Sequence, residues 1–189
     1  MKKQPDVTAA TKQTFIDAFC ILNKVKPIEK ITIKELTDKA GYNRSTFYKY
    51  FRDVYDLLTF IEDEIIVHIK NIIIANINDW NFGEEFFLEF TKVHEEKAKY
   101  FDVLLGNPNG LRFVERLKIE LTSVYINEFH LSNDDIKTTY ILEFYLSAVI
   151  FTMRRWLINK RDIPSGELAK LIRNMLTEAI FPPIIENTK

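Results

Sequence analysis

The sequence predicts an all-α fold of about nine helices. Apolar residues recur at helical spacing through most of the chain, and the alternation that marks a strand is weak even at residues 86–90. Two capping boxes mark helix starts, and only five Gly and six Pro interrupt the 189 residues. That length suits one or two compact domains.

The first helix is predicted to follow a polar, frayed segment at residues 1–10. Thr11 is the predicted N-cap, and four apolar residues then recur at helical spacing: Phe15, Ile16, Phe19 and Leu22. Pro27 is expected to end this helix, because proline disfavours the helical conformation in the residue before it.

Two short helices are predicted within residues 32–51. Thr32 and Glu35 form a capping box, in which the hydroxyl accepts from the Glu35 amide and the carboxylate accepts from the Thr32 amide. Gly41 follows the first of these helices and tolerates the left-handed conformation that a tight turn between helices needs. Asn43 is the predicted cap of the second, expected over residues 44–51.

The rest of the chain is predicted to form longer helices. Asp53 is the expected cap of a helix that reaches about residue 79, and Ser132 with Asp135 forms a capping box for a helix that ends near residue 160. Further helices are expected over residues 84–99, 111–129 and 167–181. Turn residues separate them at 80–83, 106–110 and 163–166, and Pro182-Pro183 ends the last one.

Charge is unevenly distributed along the chain. Residues 1–52 carry eleven Lys or Arg and five Asp or Glu, a net +6, whereas residues 53–189 carry 15 and 22, a net −7. A basic segment joined to an acidic one indicates that the basic segment alone meets a polyanion, and chance asymmetry is the alternative. We therefore predict a domain boundary between residues 52 and 53.

Composition excludes several classes of protein. The single Cys20 excludes a disulfide framework and a cysteine-based zinc site, and it is expected to be a small core residue. A signal peptide and a spanning helix of about 20 apolar residues are both missing, so we expect a cytoplasmic protein with no membrane contact. Without a glycine-rich phosphate loop, a nucleophile elbow or a metal-ligand cluster, we expect no enzyme, no cofactor and no metal site.

Residues 32–51 carry the functional signal. Two short helices joined by a tight turn, with a basic outer face on the second, make a helix-turn-helix whose second helix fits the major groove of DNA. Side chains that can neutralise phosphates or donate to them are Lys34, Arg44, Lys49, Arg52, Tyr48 and Tyr50. The alternative is a helical hairpin with a solvated face.

The run ITIKELTDKAGYNRSTFYKYF at residues 31–51 resembles the DNA-binding signature of the TetR family of bacterial repressors. Ala18-Phe19 resembles part of the family's first helix, and Asp53-Val54-Tyr55-Asp56-Leu57-Leu58 resembles the start of its long fourth helix. The resemblance implies an all-α homodimer. Residues 1–52 would bind operator DNA, and residues 53–189 would form a helical regulatory and dimerisation domain that often binds a small inducer.

The resemblance also implies roles for individual residues. Four match positions that tend to reach bases: Arg44, Ser45, Thr46 and Lys49. Four match positions that tend to touch backbone phosphate: Thr32, Lys34, Tyr48 and Tyr50. Val54 stands where the family commonly has a phosphate-binding lysine, and we expect Arg52 to replace that contact. The loop at residues 24–27 lacks the glycine that is usual in the family.

The carboxy-terminal domain offers candidates for an inducer pocket between helices. They are Trp80, Phe87, Phe90, Tyr100, Tyr125, Glu143 and Tyr145. The alternative for each aromatic residue is ordinary core packing. Glu143 could pair with a cationic inducer, and a helix cap or a dimer contact is the alternative for it.

A dimer interface is predicted in the last two helices. Between Lys137 and Arg154 the only charged residue is Glu143, so the helix that contains them is apolar around most of its circumference. A neighbouring subunit is the natural cover, and the last helix offers a second seam for a four-helix contact across a two-fold axis. The alternative is that both are core helices of one subunit.

The preferred hypothesis is a TetR-type regulator, a repressor that a small-molecule inducer releases from double-stranded operator DNA. The alternative is a helical co-activator or protein-interaction module that acts through a protein partner. Sequence-specific, strongly salt-dependent binding to DNA upstream of the protein's own gene would discriminate between them.

Overall fold

The computed structural model describes residues 5–76, 97–106, 110–132 and 135–175, and all regular structure in these ranges is helical. The helices are α1 (Pro5–Asn23), α2 (Ile33–Ala40), α3 (Arg44–Phe47), α4 (Val54–Asn76), α5 (Ala98–Leu104), α6 (Leu111–Glu128), α7 (Ile136–Ile158) and α8 (Ser165–Asn174). A turn of 3₁₀-helix, Ile28–Lys30, lies between α1 and α2. The prediction of an all-α fold is confirmed. None of the described helices has both the length and the apolar composition needed to cross a bilayer.

The chain divides into two compact units, Met1–Ile65 and Ile66–Lys189. The division falls within α4, so this helix contributes to both units. The boundary predicted between residues 52 and 53 separates the residues expected to bind DNA from the residues of the expected regulatory domain, and it stays a prediction.

Phe15 lies at the centre of the first unit, where α1 packs on α2 and α2 packs on α3. Its ring is fully buried, and the ring centroids of Phe47, Phe51 and Tyr42 lie 5.4, 6.5 and 5.3 Å away. Phe47 and Phe51 meet Phe15 edge to face, an arrangement in which aromatic pairs add to the stability gained from burial. This cluster fixes the position of α3.

In the second unit α6 packs against α7. Their buried side chains are mostly apolar, including Phe113, Val114, Leu117, Leu142, Leu146 and Ile150. Lys118 is the buried cation of α6, and its ammonium lies 2.6 Å from Glu143 Oε1 and 3.2 Å from Glu115 Oε1. The two carboxylates offset the cost of burying that charge, and the bond to Glu143 joins the two helices.

The first helix begins at Pro5, so the prediction that Thr11 caps it is wrong. Thr11 is buried inside α1, and its hydroxyl donates to the carbonyl of Val7 at 2.8 Å. Proline suits the first turn of a helix because its missing amide has no partner there, and Ala9 and Ala10 favour the helical state. The frayed segment predicted at residues 1–10 is therefore helical from Pro5 onward.

The third helix is shorter than the predicted span of residues 44–51. Regular α-helix ends at Phe47, and tighter bonds follow, from Lys49 N to Thr46 O at 3.3 Å and from Tyr50 N to Phe47 O at 2.9 Å. Bonds of this three-residue type commonly tighten the end of a helix. They bring Phe51, which is buried, back to the core of the first unit.

Asp53 caps α4 as predicted, because its Oδ1 accepts from the Asp56 amide at 2.8 Å. The cap predicted at Ser132 is wrong, since Asp135 is the N-cap of α7. The Asp135 carboxylate accepts from the amides of Lys137 and Thr138 at 3.1 and 3.3 Å. It lies directly before the first helical residue, which is the position from which a side chain reaches those amides.

The helix predicted over residues 84–99 lies mostly outside the described residues, as does the turn at 80–83. Its predicted end is wrong, because Lys97 stands outside the helical conformation as the N-cap of a separate helix, α5. The last helix starts at Ser165 instead of residue 167, since Pro164 before it suits a helix boundary. The predicted ends of the fourth and last helices, near residues 79 and 181, lie outside the described residues.

Candidate nucleic-acid interface

The helix-turn-helix begins with the predicted capping box. Thr32 Oγ1 accepts from the Glu35 amide at 3.2 Å, and Glu35 Oε2 accepts from the Thr32 amide at 3.1 Å. Glu35 Oε1 also lies 2.6 Å from the ammonium of Lys26. The bond to Lys26, followed by those to Thr32, lowers the pKa of the Glu35 carboxyl to about 2. These contacts fix the start of α2 against the loop that precedes it.

Gly41 makes the turn between α2 and α3. Its φ of 71° lies in the left-handed region, and its amide bonds to the Asp38 carbonyl at 3.3 Å. The next amide, that of Tyr42, bonds to the Thr37 carbonyl at 3.0 Å. The predicted tight turn is therefore confirmed, and glycine is favoured because an L side chain is strained at this φ.

Asn43 caps α3 as predicted and makes more contacts than a cap requires. Its Oδ1 accepts from the Thr46 amide at 2.8 Å, from the Thr46 hydroxyl at 2.9 Å and from the Ser45 hydroxyl at 2.7 Å. The first turn of α3 is thus organised around one carboxamide oxygen.

The outer face of α3 and the turn after it is polar and basic. Arg44, Ser45, Tyr48 and Lys49 are exposed, whereas Phe47 between them is fully buried. Within the described part of the chain neither Arg44 nor Lys49 forms an ion pair. Two cations and a phenol therefore face solvent together beside a rigid core, which is an arrangement that can bind phosphates and base edges.

The other predicted contact residues differ in exposure. Thr32 and Lys34 are exposed at the start of α2, and Thr46 and Tyr50 are half-buried. The structure therefore places most of the predicted residues on the surface of the first unit, with Tyr50 and Thr46 partly withdrawn from it.

Arg52 is exposed but already has a partner. Its side chain is 88% exposed, and its Nη2 lies 3.0 Å from Asp56 Oδ1 while its backbone amide donates to Asp56 Oδ2 at 2.9 Å. The Asp56 carboxylate raises the pKa of Arg52, and the bonds from Arg52 lower the pKa of Asp56. Val54, where a phosphate-binding lysine is common in the family, is buried.

Sequence reasoning missed Asp56 as the partner of Arg52 and the bonds from Asn43 to two hydroxyls. The four-residue spacing of Arg52 and Asp56 is a usable signal, because a carboxylate in the first turn of a helix can reach a residue just before that helix. The role of Asn43 in directing Ser45 and Thr46 had no comparable signal, since it depends on the side-chain rotamers.

The structure brings together only some of the residues predicted for an inducer pocket. The ring of Tyr125 lies 6.1 Å from that of Tyr145, and desolvation raises the pKa of both hydroxyls. Tyr100 is buried on α5, and Glu143 is bound to Lys118 and accepts from the Ser147 hydroxyl at 3.1 Å. The bond from Lys118 holds the pKa of Glu143 below its usual value. Trp80, Phe87 and Phe90 lie outside the described residues.

The chain matches known regulators in sequence and in fold. A family model described as "Transcriptional regulator C-terminal region" (TetR_C_8) matches residues 83–178, which is half of the chain. No curated protein sequence matches the chain significantly.

Solved structures that share the fold include three regulators. A TetR transcriptional regulator from Streptococcus agalactiae 2603V has a TM-score of 0.63 and 24% identity, with 89% of this chain and 94% of that chain covered. The fatty acid degradation regulator FadR from Bacillus halodurans has a TM-score of 0.64 and 13% identity, with 95% and 98% covered. The dihydroxyacetone kinase operon activator DhaS has a TM-score of 0.58 and 20% identity, with 88% and 93% covered. Together with the match to residues 83–178, the helix-turn-helix and the helical fold place this chain in the TetR family of transcriptional regulators.

Proposed function

We propose that this protein is a homodimeric repressor that binds operator DNA through α2 and α3 and is released by a small molecule bound in its second unit. The observation that carries the proposal is the exposed surface formed by Arg44, Tyr48 and Lys49, whose two cations have no ion pair within the described residues. A polyanion is the natural partner of such a surface, and α3 has the position of a recognition helix.

The DNA contacts divide into two groups. Arg44, Ser45, Thr46 and Lys49 reach base edges in the major groove, where Arg and Lys can donate to guanine. Thr32, Lys34, Tyr48 and Tyr50 contact phosphates and fix the register of the protein on the duplex. Arg52 is a weaker phosphate ligand than its exposure suggests, because its guanidinium already donates to Asp56 and a phosphate must compete with that carboxylate.

The dimer forms through α7 and α8. Large apolar side chains of α7 that are exposed in the single chain are Ile136, Tyr140, Ile141, Phe144, Phe151 and Ile158. At helical spacing all of them except Ile141 fall within about 80° of the helix circumference, and Ile141 lies about 60° beyond that sector, so they form one stripe along the helix with Ile141 at its margin. Leu171 and Met175 continue the exposed apolar surface on α8 and the residue after it. A second copy of the chain, related by a two-fold axis, covers the stripe with an identical one.

Release requires a ligand that prefers the conformation that cannot bind DNA, since equal affinity for both states shifts nothing. The buried Tyr100 and Tyr125 and the half-buried Tyr145, together with Trp80, Phe87 and Phe90, are the proposed lining of its pocket. Glu143 contributes charge at that site only if a cationic ligand displaces Lys118 from it.

The test is a gel shift with the full-length protein and DNA from upstream of its own gene, over a range of salt concentrations. We expect a specific complex whose affinity exceeds that for unrelated DNA by about 10³-fold or more. The logarithm of its binding constant should fall linearly with the logarithm of the salt concentration. Equal affinity for specific and unrelated DNA would contradict the proposal.

A second candidate is an activator, because DhaS, one of the proteins of similar fold, is named an operon activator. Transcription in vitro from the operator separates the two functions, since a repressor lowers the yield of transcript and an activator raises it. A co-activator that works only through a protein partner would form no specific DNA complex alone.

A further inference from the structure

The orientation of the Asn43 carboxamide is fixed by its neighbours. A backbone amide can only donate, so the Thr46 amide requires that the oxygen of Asn43, and not its NH₂ group, faces α3. That oxygen can only accept. The hydroxyls of Ser45 and Thr46, which lie 2.7 and 2.9 Å from it, must therefore both be donors.

These bonds determine what the two hydroxyls offer to a ligand. A serine or threonine hydroxyl has one proton and two lone pairs. Because Asn43 holds the proton of each, only lone pairs remain for an outside partner. Ser45 is exposed and Thr46 is half-buried, so Ser45 has the better access to a ligand.

In the major groove, donors and acceptors are divided between the bases. Adenine and cytosine each present an exocyclic amine that donates, whereas guanine presents O6 and N7 and thymine presents O4, all of which accept. Phosphate oxygens also accept. A hydroxyl that can only accept therefore finds partners among the amino bases, and it finds none on keto groups or phosphates.

On the basis of the proposed function, we propose that Asn43 is a positioning residue that sets part of the base preference of α3. By holding the hydroxyl proton of Ser45, it makes Ser45 an acceptor that selects adenine or cytosine over guanine or thymine at one position of the operator half-site. Ser45 does not separate adenine from cytosine, because each offers an amine to the same lone pair.

The first experiment measures the full-length protein against every single-base-pair variant of its operator half-site, by competition gel shift. At one position, adenine and cytosine should bind alike, and guanine and thymine should bind about tenfold more weakly, the value of one hydrogen bond. Ser45→Ala should remove the preference at that position and leave the preferences at other positions unchanged.

Base analogues isolate the amine itself. Purine in place of adenine, or pyrimidin-2-one in place of cytosine, lacks only the exocyclic amine. The analogue should weaken binding of the unaltered protein by about tenfold. It should leave the affinity of Ser45→Ala almost unchanged, apart from any effect that the analogue has on the stability of the duplex.

Variants of Asn43 separate proton orientation from helix capping. Asn43→Ala frees both hydroxyl protons, so the discrimination against guanine and thymine should shrink. Asn43→Asp keeps acceptor oxygens in place and should retain the preference, while its charge lowers affinity for all sites evenly. Asp53→Ala is the matched control, because it removes the cap of α4 and should leave the base preference intact.

Two results would overturn the inference and leave the proposed function standing. One is a full base preference in Asn43→Ala, and the other is an unchanged affinity of the unaltered protein for DNA from which the exocyclic amine has been removed. A protein with no affinity for its operator above the non-specific level would overturn the proposed function and this inference together. Loss of the base preference in both Asn43→Ala and Ser45→Ala, together with its retention in Asn43→Asp, supports the inference.

Discussion

Arg161, in the link between α7 and α8, forms an ion pair with Asp102 on α5, with Nη2 and Oδ1 2.5 Å apart. Its guanidinium also lies 5.8 Å from the ring centroid of Trp156, whose indole nitrogen donates to the Ile163 carbonyl at 2.7 Å. Arg161 and Lys160 have φ values of 60° and 59°, in the left-handed region. Side-chain contacts therefore hold this link in a conformation that non-glycine residues disfavour.

Lys160→Gly should raise the stability of the protein by about 0.5–1 kcal/mol, because glycine adopts a positive φ without strain. The measurement is urea denaturation, with a higher midpoint at unchanged slope. Asp102→Asn is the comparison, since it removes the ion pair and keeps the backbone strain. It should lower stability by about 1 kcal/mol or less, because both side chains are partly exposed. Destabilisation by Lys160→Gly would contradict the claim that the backbone is strained at Lys160.

Lys49→Ala should weaken operator binding by about 1–3 kcal/mol, the value of a good base contact. Lys170→Ala is matched in lost charge and lies on α8, so it should leave the affinity unchanged. Both are measured by titration of the operator at constant salt. If the two variants bind alike, Lys49 acts only through net charge or has no role.

Phe144→Glu should dissociate the proposed dimer. Phe144 is 52% exposed in the single chain and lies within the apolar stripe of α7, where a partner would desolvate the introduced carboxylate. Analytical ultracentrifugation should give a dimer for the unaltered protein and a monomer for the variant. Ile119→Glu is the control on α6, where Ile119 is 68% exposed, and it should remain a dimer. If Ile119→Glu dissociates and Phe144→Glu does not, the dimer interface lies on α6 and not on α7.

Acid should remove the contribution of Glu35 to stability. The folded pKa of Glu35, about 2, lies below the reference value of 4.5, so its ionised form is favoured by folding. The contribution is therefore present above about pH 4.5 and is lost as pH falls toward 2. Glu35→Gln should be less stable than the unaltered protein at neutral pH, and the difference should shrink in denaturation curves taken at lower pH. A constant difference would show that hydrogen bonding and not charge carries the effect.

Gly41→Ala should destabilise the protein through backbone strain alone. Its φ is 71°, but a Cβ atom there would meet nothing within 4 Å, so the expected cost is about 1–2 kcal/mol. Gly166→Ala offers the matched control, because its Cβ also meets nothing within 4 Å and alanine favours the helix that contains it. Thermal denaturation should show opposite shifts for the two variants. Shifts in the same direction would contradict the role of φ at Gly41.

Local signals predicted the helix-turn-helix because each signal there has a single structural consequence. Thr32, Glu35, Gly41 and Asn43 all act through backbone bonds to residues at most four positions away. Thr11 misled the prediction because a threonine hydroxyl can cap a helix or bond to the carbonyl four residues earlier within one. The choice between these depends on residues that precede it.

Features that depend on tertiary structure could not be predicted from the sequence. The early end of α3 follows from the need to return Phe51 to the core around Phe15. The burial of Lys118 depends on a carboxylate from another helix, Glu143, for which the sequence predicts only a ligand contact, a cap or a dimer contact. Neither relationship is contained in the spacing of nearby residues.

The chain's two tryptophans, Trp80 and Trp156, both belong to the unit Ile66–Lys189, whereas the unit Met1–Ile65 contains none. Indole emission is thus a reporter confined to the second unit, while far-ultraviolet circular dichroism monitors the helices of both units. Comparing the two signals in one melting experiment would reveal whether the first unit loses its structure in a separate step, with no label attached to either.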